Sequence, residues 1–156
     1  MTKEQIETKL ETMGYSLPEV ARAVGSYVPA VRAGALVFVS GQLPMREGKV
    51  QVTGKLGRGV SLEAAQEAAR ICVLNALAAA GQAAGGVERI LRIVRLGVFV
   101  NSTESFTEQA KVANGASDLL QAVFGDAGRH ARVAVGVAAL PLDAAVEIEL
   151  WAECAA

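Results

Sequence analysis

The last strand-like segment constrains this chain more than any other. From Val146 to Glu153 it alternates without a break: Val146, Ile148, Leu150 and Ala152 share one side, and Glu147, Glu149, Trp151 and Glu153 the other. A period of two is that of a β-strand with one face in a core. Two upstream segments read at helical period instead. Ser61 is a good N-cap, Glu63 suits the positive end of a helix, and Leu62, Ala65, Ala69, Cys72, Ala76 and Ala80 form a stripe ending near Gly81. Ser105 to Phe124 carries a second stripe of Phe106, Val112, Ala113, Ala116, Leu119, Leu120 and Val123, closed by Gly125. Two helices cover only one face of a five- or six-stranded sheet. The face bearing Glu147, Glu149 and Trp151 must therefore meet water or another subunit.

The remaining strands fit that plan. Val28 to Arg32 and Ala35 to Ser40 read as a hairpin turning near Ala33-Gly34, and a short apolar stretch surrounds Val50 and Val52. Ile90 to Val100 is the most apolar strand, and Arg132 to Ala139 precedes the last one across Leu140-Pro141-Leu142-Asp143-Ala144. At the start, Thr2-Lys3-Glu4-Gln5 forms a capping box for a short helix through Ile6, Leu10 and Met13, ended by Gly14 and expected at the domain's edge. The expectation is an α/β fold: a mixed sheet of five or six strands, two long helices on one face and a short leading helix. It is one domain over residues 1–156, with its core at about 25–153 and a helical extension at about 2–14.

Composition excludes several functions. No apolar run approaches the ~20 residues of a membrane span, and the charged start leads into no signal-like stretch, so cytoplasmic residence is expected. Formal net charge is −1, and the one Trp, two Tyr and four Phe are not interleaved with basic residues. Nucleic-acid binding needs phosphate-neutralising charge or stacking platforms, and neither is offered. Cys72 and Cys154 are too few and too far apart for a metal knuckle and read as buried small hydrophobes. No metal or cofactor motif occurs. Ser40 precedes Gly41, but no His/Asp pair can be assigned to it, which argues against a serine hydrolase.

The strand from Arg132 concentrates the functional signal. Val133, Val135, Val137 and Ala139 form its core-like set, while Arg132, Ala134, Gly136 and Ala138 face the other way. Very small residues beside an arginine leave space next to its guanidinium. Two readings stay open: pairing with a nearby carboxylate while small residues admit a neighbour, or an anion pocket gripping a ligand carboxylate through the planar fork. His130, the only histidine, is either structural or at the pocket rim.

Several motifs, in order, resemble those of the RidA/YjgF proteins, the reactive-intermediate deaminase family. Arg132, Leu140-Pro141 and Val146-Glu147-Ile148-Glu149 are similar to its C-terminal signature. Ser40-Gly41-Gln42-Leu43-Pro44 resembles its Ser-Gly-Gln-hydrophobic-Pro segment, Gly25-Ser26-Tyr27 its Gly-x-Tyr, and Val98-Phe99-Val100 its central strand. Together they span Gly25 to Glu153, in a form that resembles a branch apart from the archetypal deaminases.

The resemblance implies a chorismate-mutase-like homotrimer whose uncovered sheet faces form a barrel, with sites in clefts between subunits. It implies hydrolysis of enamines and imines to 2-oxo acids and ammonia, without metal or cofactor. Arg132 would bind the substrate carboxylate, Glu147 would orient or activate water, and Tyr27, Ser40, Gly41 and Ala134 would line the pocket. Ala134 stands where the archetype has a Cys, and Ala110 where it has an Asn; Asn114, one turn later, is the candidate replacement, at the rim with His130. A non-catalytic protein binding a small carboxylate such as a 2-oxo acid is the alternative. An endoribonuclease, a label the family also carries, fits the charge and aromatic content poorly.

Overall fold

The computed structural model describes residues 1–20, 22–23 and 25–156. Its strands are β1 (Ala30–Ala33), β2 (Leu36–Gln42), β3 (Met45–Arg46), β4 (Lys49–Val50), β5 (Lys55–Leu56), β6 (Gly59–Val60), β7 (Ile90–Asn101), β8 (Ala131–Val137) and β9 (Val146–Cys154). Its helices are α1 (Lys3–Thr12), α2 (Leu62–Ala84) and α3 (Gln109–Phe124). The main sheet is five-stranded, in the order β1-β2-β9-β7-β8. Within this sheet only β7 and β8 pair in parallel, and α3 is the crossover their parallel pairing requires. β3–β4 and β5–β6 form two small ribbons.

α2 packs over β2 and β9, and α3 over β7 and β8. Between the layers lie Cys72, Val73, Ala76 and Leu77 from α2, Val37 and Val39 from β2, Leu96, Val98 and Val100 from β7, and Val146, Ile148 and Leu150 from β9, all buried. Cutting Leu150 to Ala would cost about 2–5 kcal/mol. Gly115 lets the helices touch: a Cβ there would run into the Gln66 carbonyl of α2. The alternation in β9 is complete, with Val146, Ile148, Leu150, Ala152 and Cys154 buried and the intervening residues half-exposed. Cys72 and Cys154 are buried and unpaired with each other. Among the described residues no helix is long and apolar enough to cross a membrane.

The structure corrects several expectations. α1 has the Thr2–Gln5 capping box, but Ile6 and Leu10 are fully buried in the same core as the sheet. The helix thus belongs to the core and is not an edge appendage; Lys9 Nζ also donates to the Val123 carbonyl at the end of α3. α2 runs past Gly81 to a left-handed cap at Gly85. Gly81 stays helical, and its missing side chain makes room for the Val87 backbone. β1 starts at Ala30 rather than Val28, since Pro29 has no N–H to give a ladder. α3 starts at Gln109, not Ser105, after a Glu108 cap of non-helical geometry.

The largest correction concerns β8. Its register aligns Arg132 with Leu96, Ala134 with Val98 and Gly136 with Val100, all on the helix-covered face. Val133 and Val135, read as core residues, lie on the open face and are 37% and 40% exposed. Alternation identifies two faces but not which one a helix covers. That choice follows here from pairing with β7, which no local pattern in β8 encodes.

Candidate functional site

The residues singled out from sequence form two separate groups. In the first, on the helix-covered side of β8, the Arg132 side chain reaches across to α3. Nη1 donates to Asn114 Oδ1 at 2.8 Å and to Ser117 Oγ at 3.0 Å. Nη2 donates to the Ala110 carbonyl at 3.4 Å. Every acceptor is neutral. Among the described residues no carboxylate lies within ion-pair distance of this guanidinium, so an intrachain carboxylate partner is not what holds it. The Nε–H and one Nη2 hydrogen have no partner among the described residues.

His130 shares the side of Arg132, two residues upstream. Nδ1 lies 2.7 Å from the Gly128 carbonyl, and Nε2 lies 3.0 Å from Ser117 Oγ. Burial, and secondarily the Arg132 charge, holds its pKa below the usual histidine value, against the opposing Gly128 bond. Ala134 is half-buried against the core. The space expected beside Gly136 is taken: a Cβ there would lie 2.6 Å from Ser102 Oγ and 2.9 Å from Gln109 Nε2. The small residues of β8 therefore let α3 and its leading loop come close.

The second group lies on the open face, at the β2–β9 pair. Register slips between Val39 and Gln42, so Ser40 and Gly41 form a bulge. Ser40 Oγ donates to the Val28 carbonyl at 2.7 Å, and Ser40 N to Pro29 O at 2.9 Å. These bonds tie down the segment carrying Tyr27, which is 52% exposed. The Glu147 side chain lies over Gly41, where any Cβ would overlap its carboxylate. Burial, then the charge of Glu149, raises the Glu147 pKa above the ordinary carboxylate value. Glu149 is itself paired with Arg95 at 2.5 Å, and the Arg95 guanidinium stacks 5.0 Å from the Trp151 ring.

The sheet separates the two groups. Glu147 pairs across with Phe99, and Phe99 with Val135, so Glu147 shares the face of Val135 and not that of Arg132. β7 intervenes, putting roughly 10 Å between the two strands. Within one chain, Arg132 and Glu147 cannot grip the same small molecule. A groove of about 920 Å³ lies elsewhere, between Gly14, Tyr15, Pro18 and Val20 on one side and the β3–β4 ribbon on the other, and neither residue lines it. Among the described residues no three His, Cys, Asp or Glu converge as metal ligands.

Ser117 was missed by sequence reasoning, although a signal existed. It is a hydroxyl inside an otherwise apolar stripe, four residues from Ala113 and three from Leu120, and only 6% exposed. A buried hydroxyl needs partners. Here they are Arg132 and His130.

Comparison with known proteins follows the same outline. Residues 7–154 match the family model described as "YjgF/chorismate_mutase-like, putative endoribonuclease". The chain is 46% identical over 150 residues to Protein TCP17 of Trypanosoma cruzi, covering 96% of this chain and 94% of that one. It is 32% identical over 130 residues to the Escherichia coli K12 protein named "Putative reactive intermediate deaminase TdcF", covering 81% and 85%. Among solved structures, Atu1372 of Agrobacterium tumefaciens, of unknown function, superposes with a TM-score of 0.92 at 44% identity, over 99% of this chain and 96% of that one. E. coli TdcF with bound serine superposes at 0.65 and 28% identity, over 88% and 94%. The family model, the relatives and the superposed structures agree over nearly the whole length: the chain belongs to the RidA/YjgF family.

Proposed function

We propose that this protein is an enamine/imine deaminase that hydrolyses small carboxylate-bearing imines to 2-oxo acids and ammonia, at sites shared between copies of the chain in a homotrimer. The observation that carries the proposal is the state of Arg132. Its guanidinium is anchored by neutral acceptors, unpaired with any described carboxylate, and has two N–H groups to spare. That arrangement suits a planar carboxylate, which accepts two parallel hydrogen bonds. A related protein, E. coli TdcF, has been solved with serine, itself a carboxylate, bound.

The chemistry asks little more. An enamine tautomerises to an imine by taking a proton at its β-carbon, and protonation of the imine nitrogen makes the C=N carbon electrophilic. Water adds there, and the C–N bond breaks as the nitrogen leaves protonated. A carboxylate can orient that water and move its proton when its pKa is raised toward working pH, and Glu147 is shifted in that direction. Tyr27, Ser40 and Gly41 line the Glu147 half, and Ala134 and Asn114 the Arg132 half. Since one chain holds the halves on opposite faces, the complete site draws Arg132 from one copy and Glu147 from the next. The exposed Val133 and Val135 supply apolar area for that contact.

The test generates imines in situ with an amino-acid oxidase or a threonine dehydratase and follows their loss with and without the protein. Acceleration is expected, from a species of trimer mass by light scattering. Binding of 2-oxobutyrate without acceleration would support a ligand carrier instead, and an active monomer would overturn the shared site.

A further inference from the structure

We propose that Ser117 and His130 are positioning residues for Arg132, forming a hydrogen-bond chain that holds the guanidinium with its spare N–H groups available to a ligand. The proposal rests on the reading of Arg132 as the carboxylate-binding group.

The direction of each link follows from elementary donor and acceptor rules. The Gly128 carbonyl can only accept, so His130 Nδ1, 2.7 Å away, carries a hydrogen. Burial favours the neutral ring, which leaves Nε2 bare. A bare ring nitrogen accepts, so Ser117 Oγ, 3.0 Å away, donates to it. The Ser117 lone pairs are thereby turned toward Arg132, whose Nη1 donates at 3.0 Å. An arginine cannot accept, so no link can reverse while the imidazole stays neutral.

The arrangement also explains a half-buried histidine beside an arginine. As a cation, His130 would present a donor to Ser117 and place a second positive charge near Arg132. As a neutral Nδ1–H tautomer, it turns a rotatable hydroxyl into a fixed acceptor. Asn114 and Ala110 hold other hydrogens of the same guanidinium. Without Ser117 they leave Nη1 with one anchor and the plane free to rock. Fixing a binding group before the ligand arrives improves affinity mainly by lowering the ordering cost.

The test titrates 2-oxobutyrate into the full-length protein and the variants S117A, S117T, H130L, S117A/H130L and R132A. S117A and H130L should each weaken binding roughly 3- to 10-fold, the range for one hydrogen bond. S117T should restore most of the affinity, and the double variant should bind no more weakly than S117A, because His130 acts through Ser117. His130 is the only histidine, so its ring nitrogens give unambiguous NMR signals. Those signals should show the Nδ1–H tautomer in the unmodified protein. Additive losses in the double variant, the opposite tautomer, or unchanged binding in S117A and H130L while R132A loses it would each overturn this proposal alone. Unchanged binding in R132A would overturn the carboxylate reading and this proposal with it.

Discussion

Arg132 and Glu147 occupy strands separated only by β7, yet their surroundings share almost nothing. Arg132 is clamped from α3 by three neutral acceptors, and among the described residues no carboxylate pairs with it. Among the described residues Glu147 has no such clamp. It lies half-buried on the open face, over a glycine in a bulged strand, beside a second glutamate. The contrast separates two tasks. In the proposed reaction a prebuilt, fixed cation would supply affinity and orientation, while a carboxylate of raised pKa would supply proton transfer. Lesions at the two ends should therefore leave different kinetic signatures.

The largest effect is expected from Glu147→Gln. Losing a general acid–base group should lower kcat about 10²- to 10⁴-fold, with 2-oxobutyrate affinity changing little. The same variant should gain stability at neutral pH. Glu147 has a folded pKa above its unfolded value, so its favourable contribution is complete below pH ~4.5 and is lost as pH rises through the folded pKa. Melting curves of the two proteins should diverge on going from acid to neutral pH.

Arg132→Ala comes next. Loss of a charge-assisted bidentate contact should cost on the order of 2–4 kcal/mol, or roughly 30- to 1000-fold in kcat/KM, with ligand affinity falling in step. Lysine keeps the charge without the planar fork, so Arg132→Lys should recover only part. The assembly should survive both changes.

Gly41→Ala should be milder and confined to the glutamate end. The new methyl group meets the mobile end of Glu147 rather than backbone. Stability should change by no more than about 1 kcal/mol. A misplaced carboxylate should still lower kcat on the order of 10- to 100-fold. The smallest effect belongs to Glu149→Gln, which removes one of the two causes raising the Glu147 pKa. The acid limb of kcat/KM should move to lower pH, yet stay above that of an ordinary glutamate because burial remains.

Much of this arrangement was legible in the sequence. β9 could be read residue by residue because strict alternation reports a half-buried strand. The α1 capping box and the Ser61 cap were equally local signals. The motifs also led to Arg132, Glu147, Gly41 and Ser40. β8 resisted because its valines and its small residues both look suitable for a core, and only pairing to β7 assigns the faces. Asn114 was legible as a neighbour of the site, whereas its bond to Arg132 depends on how far α3 lies from β8. Ser117 was hidden by the apolar residues around it. The opposite placement of Arg132 and Glu147 was illegible too, since no local pattern records which strands lie between two motifs.

The central claim, that each site takes Arg132 from one copy and Glu147 from the next, is tested most directly by complementation. Arg132→Ala and Glu147→Gln chains would be mixed in equal amounts, unfolded, refolded together and assayed for imine hydrolysis. Random assembly pairs an intact Arg132 with an intact Glu147 at about a quarter of the interfaces, so about a quarter of the unmutated activity should return. Activity no greater than that of the two variants refolded separately, in a mixture shown to contain mixed oligomers, would contradict the account.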